Sequence, residues 1–235
     1  MPKAVILAAG RGTRMGDLTV AKPKPMLSAG GRPILERVLE RLIAAGYSKA
    51  LIVTGYHAES IEEYFRDYRL PLQFVRQSPV NGTAPAALLA RPFVGDDDFL
   101  LTFGDILADA ACYRGILDQL RREPEAAAIL GVREVEDPYQ GAAVYVGEGG
   151  KVTCIVEKPP RGESTTHWNS AGIYAARTSL FEELTRVPKS VRGEYELTSA
   201  ISQLIEGGKL LRIFPVTGRW RDIGRPEDLE AVKDI

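Results

Sequence analysis

A chain of 235 residues with 30 Lys and Arg against 31 Asp and Glu has a formal net charge of -1, with 45% hydrophobic and 8% aromatic residues. That length allows one large domain or two small ones, and the apolar content suffices for a core, which excludes a disordered chain and a disulfide scaffold. The balanced charge also excludes a nucleic-acid polymer as partner, since a surface for one shows clustered excess Lys and Arg. The average hides an asymmetry: residues 1–32 hold six basic side chains (Lys3, Arg11, Arg14, Lys22, Lys24, Arg32) against one acid, Asp17, a local charge of +5. Concentrated positive charge at one end points to an anionic ligand there.

Cys112 and Cys154 lie far apart, and His57 and His167 are equally isolated, so neither a zinc site nor a disulfide framework is signalled. Both cysteines read as ordinary thiols of a reducing compartment. The apolar run 4–9 after Lys3 is too short for a secretion signal, and no stretch approaches the ~20 apolar residues of a membrane span. The expectation is a cytoplasmic protein without a membrane partner.

In chain order, residues 4–8 form an unbroken apolar run of the kind found in a strand buried on both faces. Pro33 then opens a helix whose stripe is Ile34, Leu35, Val38, Leu39, Leu42 and Ile43, with Gly46 suited to a left-handed cap. Residues 51–54 read as a second strand, and 58–68 as a helix with Ile61, Tyr64, Phe65 and Tyr68 on one side. Asp96-Asp97-Asp98 reads as a solvated turn before a strand at 99–103, after which Asp109 caps a helix through Ile116 and Leu120. Strands alternating with helices indicate an α/β domain with a mostly parallel sheet and helices on both faces. After about residue 130 the texture changes. Strands at 129–132, 142–146 and 152–156, joined by Gly-rich turns, suggest an antiparallel appendage. Helices at 178–184 and 197–205, a strand at 211–216 and a helix opened by Pro226 complete the reading. No repeat or low-complexity linker divides the chain, so 1–235 is read as one domain with two lobes, about 1–130 and about 131–235.

The first strand runs into Gly10-Arg11-Gly12-Thr13-Arg14. Glycines let backbone approach a bulky anion, and N–H groups exposed after a strand form an anion-binding concavity. The loop lacks the spacing and the ending of a Walker A motif. It also departs from the dinucleotide fingerprint, because Met15 stands where the third glycine belongs and the second strand ends in Thr54-Gly55-Tyr56 without an acid. Lys24 follows between Pro23 and Pro25, whose fixed φ angles hold its backbone in place. A rigidly placed cation matters for phosphate chemistry.

Together, Leu7-Ala8-Ala9-Gly10-Arg11-Gly12-Thr13-Arg14 and Pro23-Lys24-Pro25-Met26 resemble the signature of the sugar-1-phosphate nucleotidyltransferases, in the short single-domain form akin to the glucose-1-phosphate thymidylyl- and uridylyltransferases. The resemblance implies a Rossmann-like three-layer α/β/α fold with a mixed, mostly parallel central sheet and a smaller antiparallel sugar-binding lobe. It also implies a requirement for Mg²⁺. In this resemblance Leu7, Ala8, Ala9, Gly10, Gly12, Thr13, Arg14 and Lys24 bind the nucleotide. One departure is visible, since Asp17 stands where the family usually has a proline before Leu18-Thr19.

Later segments extend the likeness to the whole chain. Gln77 with Gly82 and Thr83 resembles the pair that reads the base; a carboxamide both donates and accepts, which suits a uracil or thymine edge. Asp105, at a strand's carboxyl end, matches the metal aspartate, and Asp222 in Trp220-Arg221-Asp222-Ile223-Gly224 matches the second one. Gly141, then Glu157 and Lys158, then Asn169 and Gly172 resemble the sugar-phosphate pocket, where polar side chains meet sugar hydroxyls and Lys158 neutralises the phosphate. Glu194 and Glu196 also match a family pattern, without settling which of them meets the sugar.

The implied reaction is attack of a sugar 1-phosphate oxygen on the α-phosphorus of an NTP, with release of pyrophosphate. Arg14, Lys24 and Asp105 are the catalytic residues, and the attacking oxygen is already ionised, so no catalytic His or Cys is needed. Gln77 favours UTP or dTTP, although guanylyl- and cytidylyltransferases share the scaffold. Of the rivals, a glycosyltransferase of similar fold lacks its Asp-x-Asp, since Asp105-Ile106-Leu107 stands there. A non-catalytic homologue that binds a sugar nucleotide stays open, as do the sugar and the oligomeric state, a homo-oligomer among the options. The sequence ends soon after Trp220, so neither an appended acyltransferase β-helix nor the longer tail of some relatives is expected.

Overall fold

The structure, a computed structural model, describes residues 2–231. Strand β1 (Lys3–Leu7) leads through 3₁₀ turns at Thr13–Thr19 and Lys24–Met26 into a two-residue hairpin, β2 (Ser28–Ala29) and β3 (Arg32–Pro33). There follow α1 (Ile34–Ala44), β4 (Lys49–Thr54), α2 (Ala58–Tyr64), β5 (Leu72–Arg76), α3 (Thr83–Leu88), α4 (Arg91–Val94), β6 (Phe99–Phe103), β7 (Ile106–Ala108) and α5 (Ala110–Arg122). The remainder comprises β8 (Ala126–Glu134), β9 (Ala142–Val146), β10 (Val152–Glu157), β11 (Trp168–Ala176), α6 (Ser179–Leu184), α7 (Leu197–Glu206), β12 (Leu210–Pro215), β13 (Trp220–Asp222) and α8 (Pro226–Glu230).

Strands β5, β4, β1 and β6 lie side by side and parallel, with Lys3 opposite Lys49 on one flank and Phe99 on the other. Strand β11 runs antiparallel to β6, β8 antiparallel to β11, and β12 parallel to β8, which makes the sheet mixed. Side chains alternate between two cores. Ala4, Ile6 and Ala8 join Ala50, Ile52 and the stripes of α1 and α5 on one face, whereas Val5, Leu7 and Ala9 join Leu51, Val53 and the buried sides of α3, α6 and α7 on the other. This is the three-layer arrangement that the sequence led us to expect, with helices covering both faces of a parallel core.

The antiparallel part is organised differently from the expectation. Strand β8 does not pair with β9; it belongs to the main sheet, and β9 and β10 form their own hairpin. The connection is β11, a strand that the sequence pattern does not announce. Its register against β8 shifts between Ser170 and Tyr174, and Gly172 sits in that bulge at φ 70°. Ahead of the bulge Asn169 pairs with both Arg133 of β8 and Ala143 of β9, so the sheet forks here and carries the hairpin away from β6. Bulges of this kind re-aim strands next to binding sites.

Four local expectations are corrected. The helix expected over 58–68 ends at Tyr64, whose ring is exposed and whose hydroxyl donates to Glu36 Oε2 at 2.9 Å. Asp109 stands at the N-cap of α5, yet its carboxylate makes no cap hydrogen bond and instead accepts from Arg219 N and Nε at 2.9 and 3.1 Å. The acidic turn is not simply solvated, because Asp97 pairs with Lys3 at 2.7 Å and Asp98 with Arg177 at 3.0 Å. Lys3, which the sequence reading leaves solvated, is buried and donates to Val94 O at 2.6 Å, so it is a structural cation.

Candidate active site

The carboxyl ends of β1, β5 and β6 open into one cleft of about 420 Å³. Open α/β sheets bind ligands at this edge, where loops diverge. Of the residues singled out in the sequence, Leu7, Ala9, Gly10, Gly12, Thr13, Arg14, Lys24, Gln77, Gly82, Thr83 and Asp105 line it. Ala8 does not; its side chain is buried on the opposite face of the sheet. Arg11, Pro25, Val80, Phe103 and Glu194 complete much of the wall.

Two glycines of the loop serve different ends. Gly12 is left-handed at φ 66°, and a Cβ there would stand 2.7 Å from Lys24 Cβ, so the loop is pressed onto the lysine stem. A Cβ on Gly10 would meet nothing within 4 Å, which leaves that stretch of backbone bare toward the cleft. Thr19 Oγ1 closes the loop by donating to Gly12 O and Gly16 O at 3.2 and 3.1 Å. The prolines act as the sequence suggests: Pro23 is extended at ψ 149° and Lys24 starts a 3₁₀ turn in which Met26 N donates to Pro23 O at 2.8 Å.

Lys24 is the electrostatic hinge of the cleft. Its side chain is 8% exposed, its ammonium contacts Asp105 Oδ2 directly and it lies 4.0 Å from Asp222 Oδ1. Asp105 follows β6; Asp222 arrives from far along the chain because β13 pairs antiparallel with β7, Asp222 opposite Ile106, and Ile223 N donates to Asp105 O at 3.0 Å. Although 43% of the Asp222 side chain meets solvent, its carboxyl is pushed upward, first by the packing around it and then by the charge of Asp105. Arg14 stands near the same acids, with its guanidinium about 3.5 Å from where a Cβ on Gly224 would be.

At the other end, Gln77 is almost fully buried, and its Nε2 donates to Gly82 O at 2.8 Å and Asn81 Oδ1 at 3.3 Å. The loop behind it is strapped to residues 195–197: Ala84 N donates to Tyr195 O, Tyr195 N to Asn81 O and Leu197 N to Thr83 Oγ1. A Cβ on Gly82 would stand 2.2 Å from Tyr195 O, so only glycine fits.

Gly141, Glu157, Lys158 and Asn169 form a second group. Lys158 N donates to Gly141 O at 2.7 Å, a Cβ on Gly141 would collide with Asn169 Oδ1 at 2.4 Å, and that buried Oδ1 has no hydrogen-bond partner. The Lys158 ammonium is held below its ordinary range by burial and by Arg192. Arg14 and Glu194, both on the cleft wall, also bear on its charge, which sets this group beside the cleft. Gly172 stands apart at the bulge, where a Cβ would press on Ile106 and Phe103. Sequence reasoning missed Arg192. Its Nη1 donates to Glu157 Oε1 at 3.2 Å and Glu196 Oε1 at 3.0 Å, so Glu196 faces this group while Glu194 lines the cleft. The only signal was its place one residue before Gly193-Glu194-Tyr195-Glu196.

A family model described as nucleotidyl transferase matches residues 3–234. The chain belongs to that family. It is similar to a bifunctional protein GlmU of Methanococcus maripaludis, 36% identical over 226 residues that make up 96% of this chain and 52% of that one. It is also similar to AglF, a UTP–glucose-1-phosphate uridylyltransferase of Haloferax volcanii, 35% identical over 236 residues covering 98% and 95%. The chain thus spans about half the length of the GlmU relative and nearly all of AglF. A UDP-glucose pyrophosphorylase crystallised with UDP-glucose shares the fold, with a TM-score of 0.90 at 22% identity over 100% of this chain and 97% of that one.

The acids of this family member suit the metal that the family implies. Among the described residues no group of three or more His, Cys, Asp and Glu forms a protein-only cage. Two hard carboxylates, Asp105 and Asp222, nevertheless face one position, and a cation, the Lys24 ammonium, already lies against them. Mg²⁺ characteristically takes one or two carboxylates and completes its shell with phosphate and water, so the donor set fits.

Proposed function

We propose that this chain transfers a nucleotidyl group from an NTP to a sugar 1-phosphate, forming a nucleotide sugar and releasing pyrophosphate. The observation that carries the reading is one cleft with a polar end at Gln77 and a cationic end at Arg14 and Lys24, where two carboxylates meet. The uridylyltransferase activity in the name of AglF, a relative of nearly the same length, supports it.

The two reactants are polyanions, and their mutual repulsion opposes alignment. Arg14 and Lys24 offset it on the triphosphate, while Lys158 and Arg192 receive the phosphate of the sugar. Asp105 and Asp222 would hold Mg²⁺, which when bound would supply further charge neutralisation toward the phosphates. An oxygen of the sugar 1-phosphate bonds to the α-phosphorus as the bond to the β-phosphate oxygen breaks, and no proton has to move. Glu157 and the unpartnered Asn169 Oδ1 accept hydrogen bonds from sugar hydroxyls. With both Gln77 amide hydrogens turned to Asn81 and Gly82, its Oε1 remains to accept the N3–H of uracil or thymine, a hydrogen cytosine lacks.

In this reading residues of about 1–130 hold the nucleotide and those of about 131–235 the sugar phosphate. Free thiols at Cys112 and Cys154, and no described helix long and apolar enough to cross a membrane, support a cytoplasmic place of work. The test is a matrix of four NTPs against a panel of sugar 1-phosphates with Mg²⁺, read by pyrophosphate release. Release with UTP or dTTP and one sugar phosphate is expected; silence across the matrix refutes the reading.

A further inference from the structure

The glycine loop is held at both ends by one turn that does not line the cleft. Between β4 and α2, Gly55 packs so closely on Ala9 that a Cβ would stand 2.7 Å from Ala9 O, and Tyr56 N donates to that same oxygen at 3.0 Å. The far end of the loop returns to the same turn. Val20 O accepts from Tyr56 Oη at 3.1 Å and from His57 Nε2 at 3.1 Å. Between these anchors the Arg11 guanidinium lies 5.5 Å from the centre of the Tyr56 ring, and the two rings meet edge to face at 4.2 Å.

Within itself the outer turn is closed by the buried Thr19, which donates to Gly12 O and Gly16 O, and by Val20 N donating to Asp17 O at 3.2 Å. Leu18 and Val20 are 46% and 67% exposed, so the hydrogen bonds to Val20 O are what tie this tip to the β4–α2 turn. His57 meanwhile keeps a left-handed backbone at φ 51°, uncommon for a residue with a Cβ. Backbone strain at a half-exposed turn is retained where it places a side chain usefully, and here it aims the imidazole at Val20 O.

We propose that Tyr56 and His57 are positioning residues for the nucleotide: they brace the loop of residues 10–20 and set where Arg11 and the Gly10–Arg14 backbone stand in the cleft. This rests on the reading of the cleft as an NTP site. Neither side chain lines the cleft, so neither touches the reacting atoms. Their effect falls mainly on nucleotide affinity, because Lys24 is framed by its prolines and Asp105 by β6, and it reaches the chemical step only through Arg14, which the braced loop carries.

The test uses Tyr56→Phe, His57→Gly and the double variant in the full chain, with KM and kcat for the NTP that turns over. Tyr56→Phe removes one hydroxyl and keeps the ring under Arg11. His57→Gly removes the imidazole and relieves the left-handed backbone, so its thermal midpoint is expected to match or exceed that of the unmodified chain. Loss of one exposed hydrogen bond corresponds to about a three- to fivefold rise in KM, and loss of both to about tenfold, with any fall in kcat smaller than the rise in KM. A second readout needs no turnover: without nucleotide, trypsin is expected to cut after Arg11 and Arg14 about tenfold faster in the double variant. Unchanged KM and unchanged cleavage in the double variant overturn the brace, as does a fall in kcat that tracks a lower thermal midpoint. If the unmodified chain turns over no NTP, the proposed function fails by itself and the cleavage rates still decide whether the brace exists.

Discussion

The Lys24 ammonium is in direct contact with the Asp105 carboxylate, a pairing between residues 81 positions apart that the fold brings together inside a largely buried site. The relationship follows from two constraints. Pro23 and Pro25 fix the lysine backbone, and Gly12 presses on its stem. The lysine therefore has one direction to extend, toward the end of β6. Lys24→Ala removes a preorganised cation from the reacting phosphates, and kcat is expected to fall by roughly 10²-fold or more. Pyrophosphate release at saturating substrates measures it, and unchanged turnover removes the role assigned to Lys24.

Asp105→Asn keeps the shape of that side chain and removes its charge. Because the carboxylate is partly solvent-facing, with 24% of the side chain exposed, the fold is expected to survive with an unaltered far-ultraviolet circular dichroism spectrum. Dependence of turnover on Mg²⁺ is expected to disappear along with activity, since the remaining acid, Asp222, is a single ligand. Full activity with an unchanged Mg²⁺ titration contradicts the assignment.

The glycines of the loop separate folding from binding. Gly12→Ala forces a Cβ into a left-handed position and to within 2.7 Å of Lys24 Cβ, so a loss of about 2 kcal/mol or more is expected in a denaturant melt. Gly10→Ala meets no protein atom within 4 Å and is expected to leave stability within about 0.5 kcal/mol of the unmodified chain. Its methyl projects instead into the space reserved for ligand, and the KM for the NTP is expected to rise at least about tenfold, as a misfit of this kind costs more than 1 kcal/mol. Equal stabilities for the two variants count against this division of labour.

Seven of the nine strands of the main sheet and most of the nucleotide end were legible in the sequence because their signals are local. Strands β1 and β4 contain unbroken apolar runs and β6 one broken only by Thr102, and the segment from Gly10 to Pro25 carries its glycines, cations and prolines within sixteen residues. Strand β11 was not legible for a physical reason: Gly172 at a bulge and the polar pair Asn169-Ser170 interrupt the apolar pattern that marks a strand. Asp109 was legible as an N-cap position but not as the partner of Arg219, since its competitor for the carboxylate comes from 110 residues away. Arg192 was invisible for the same reason. Its two acids are supplied by the end of β10 and the start of α7, and only the folded chain brings them to one guanidinium.

Arg192 also makes a pH prediction possible. The Glu157 carboxyl is raised above its ordinary range, chiefly by burial and then by Glu196, while Lys158 and Arg192 pull it back down. In the proposed function Glu157 would accept hydrogen bonds from a sugar hydroxyl with full strength only when ionised, so activity is expected above its pKa and is expected to be lost as pH falls through it. Arg192→Ala removes one of the two cations that favour the ionised form. The acid limb of kcat/KM for the sugar 1-phosphate is therefore expected to move to higher pH, and KM for that substrate to rise by about tenfold through loss of a charged contact worth over 1 kcal/mol. KM for the NTP is expected to change little, because Arg192 does not line the nucleotide cleft. A pH profile of kcat/KM measured against each substrate in turn checks both halves: an acid limb that stays in place, or an equal rise in both KM values, shows that Arg192 does not act through Glu157.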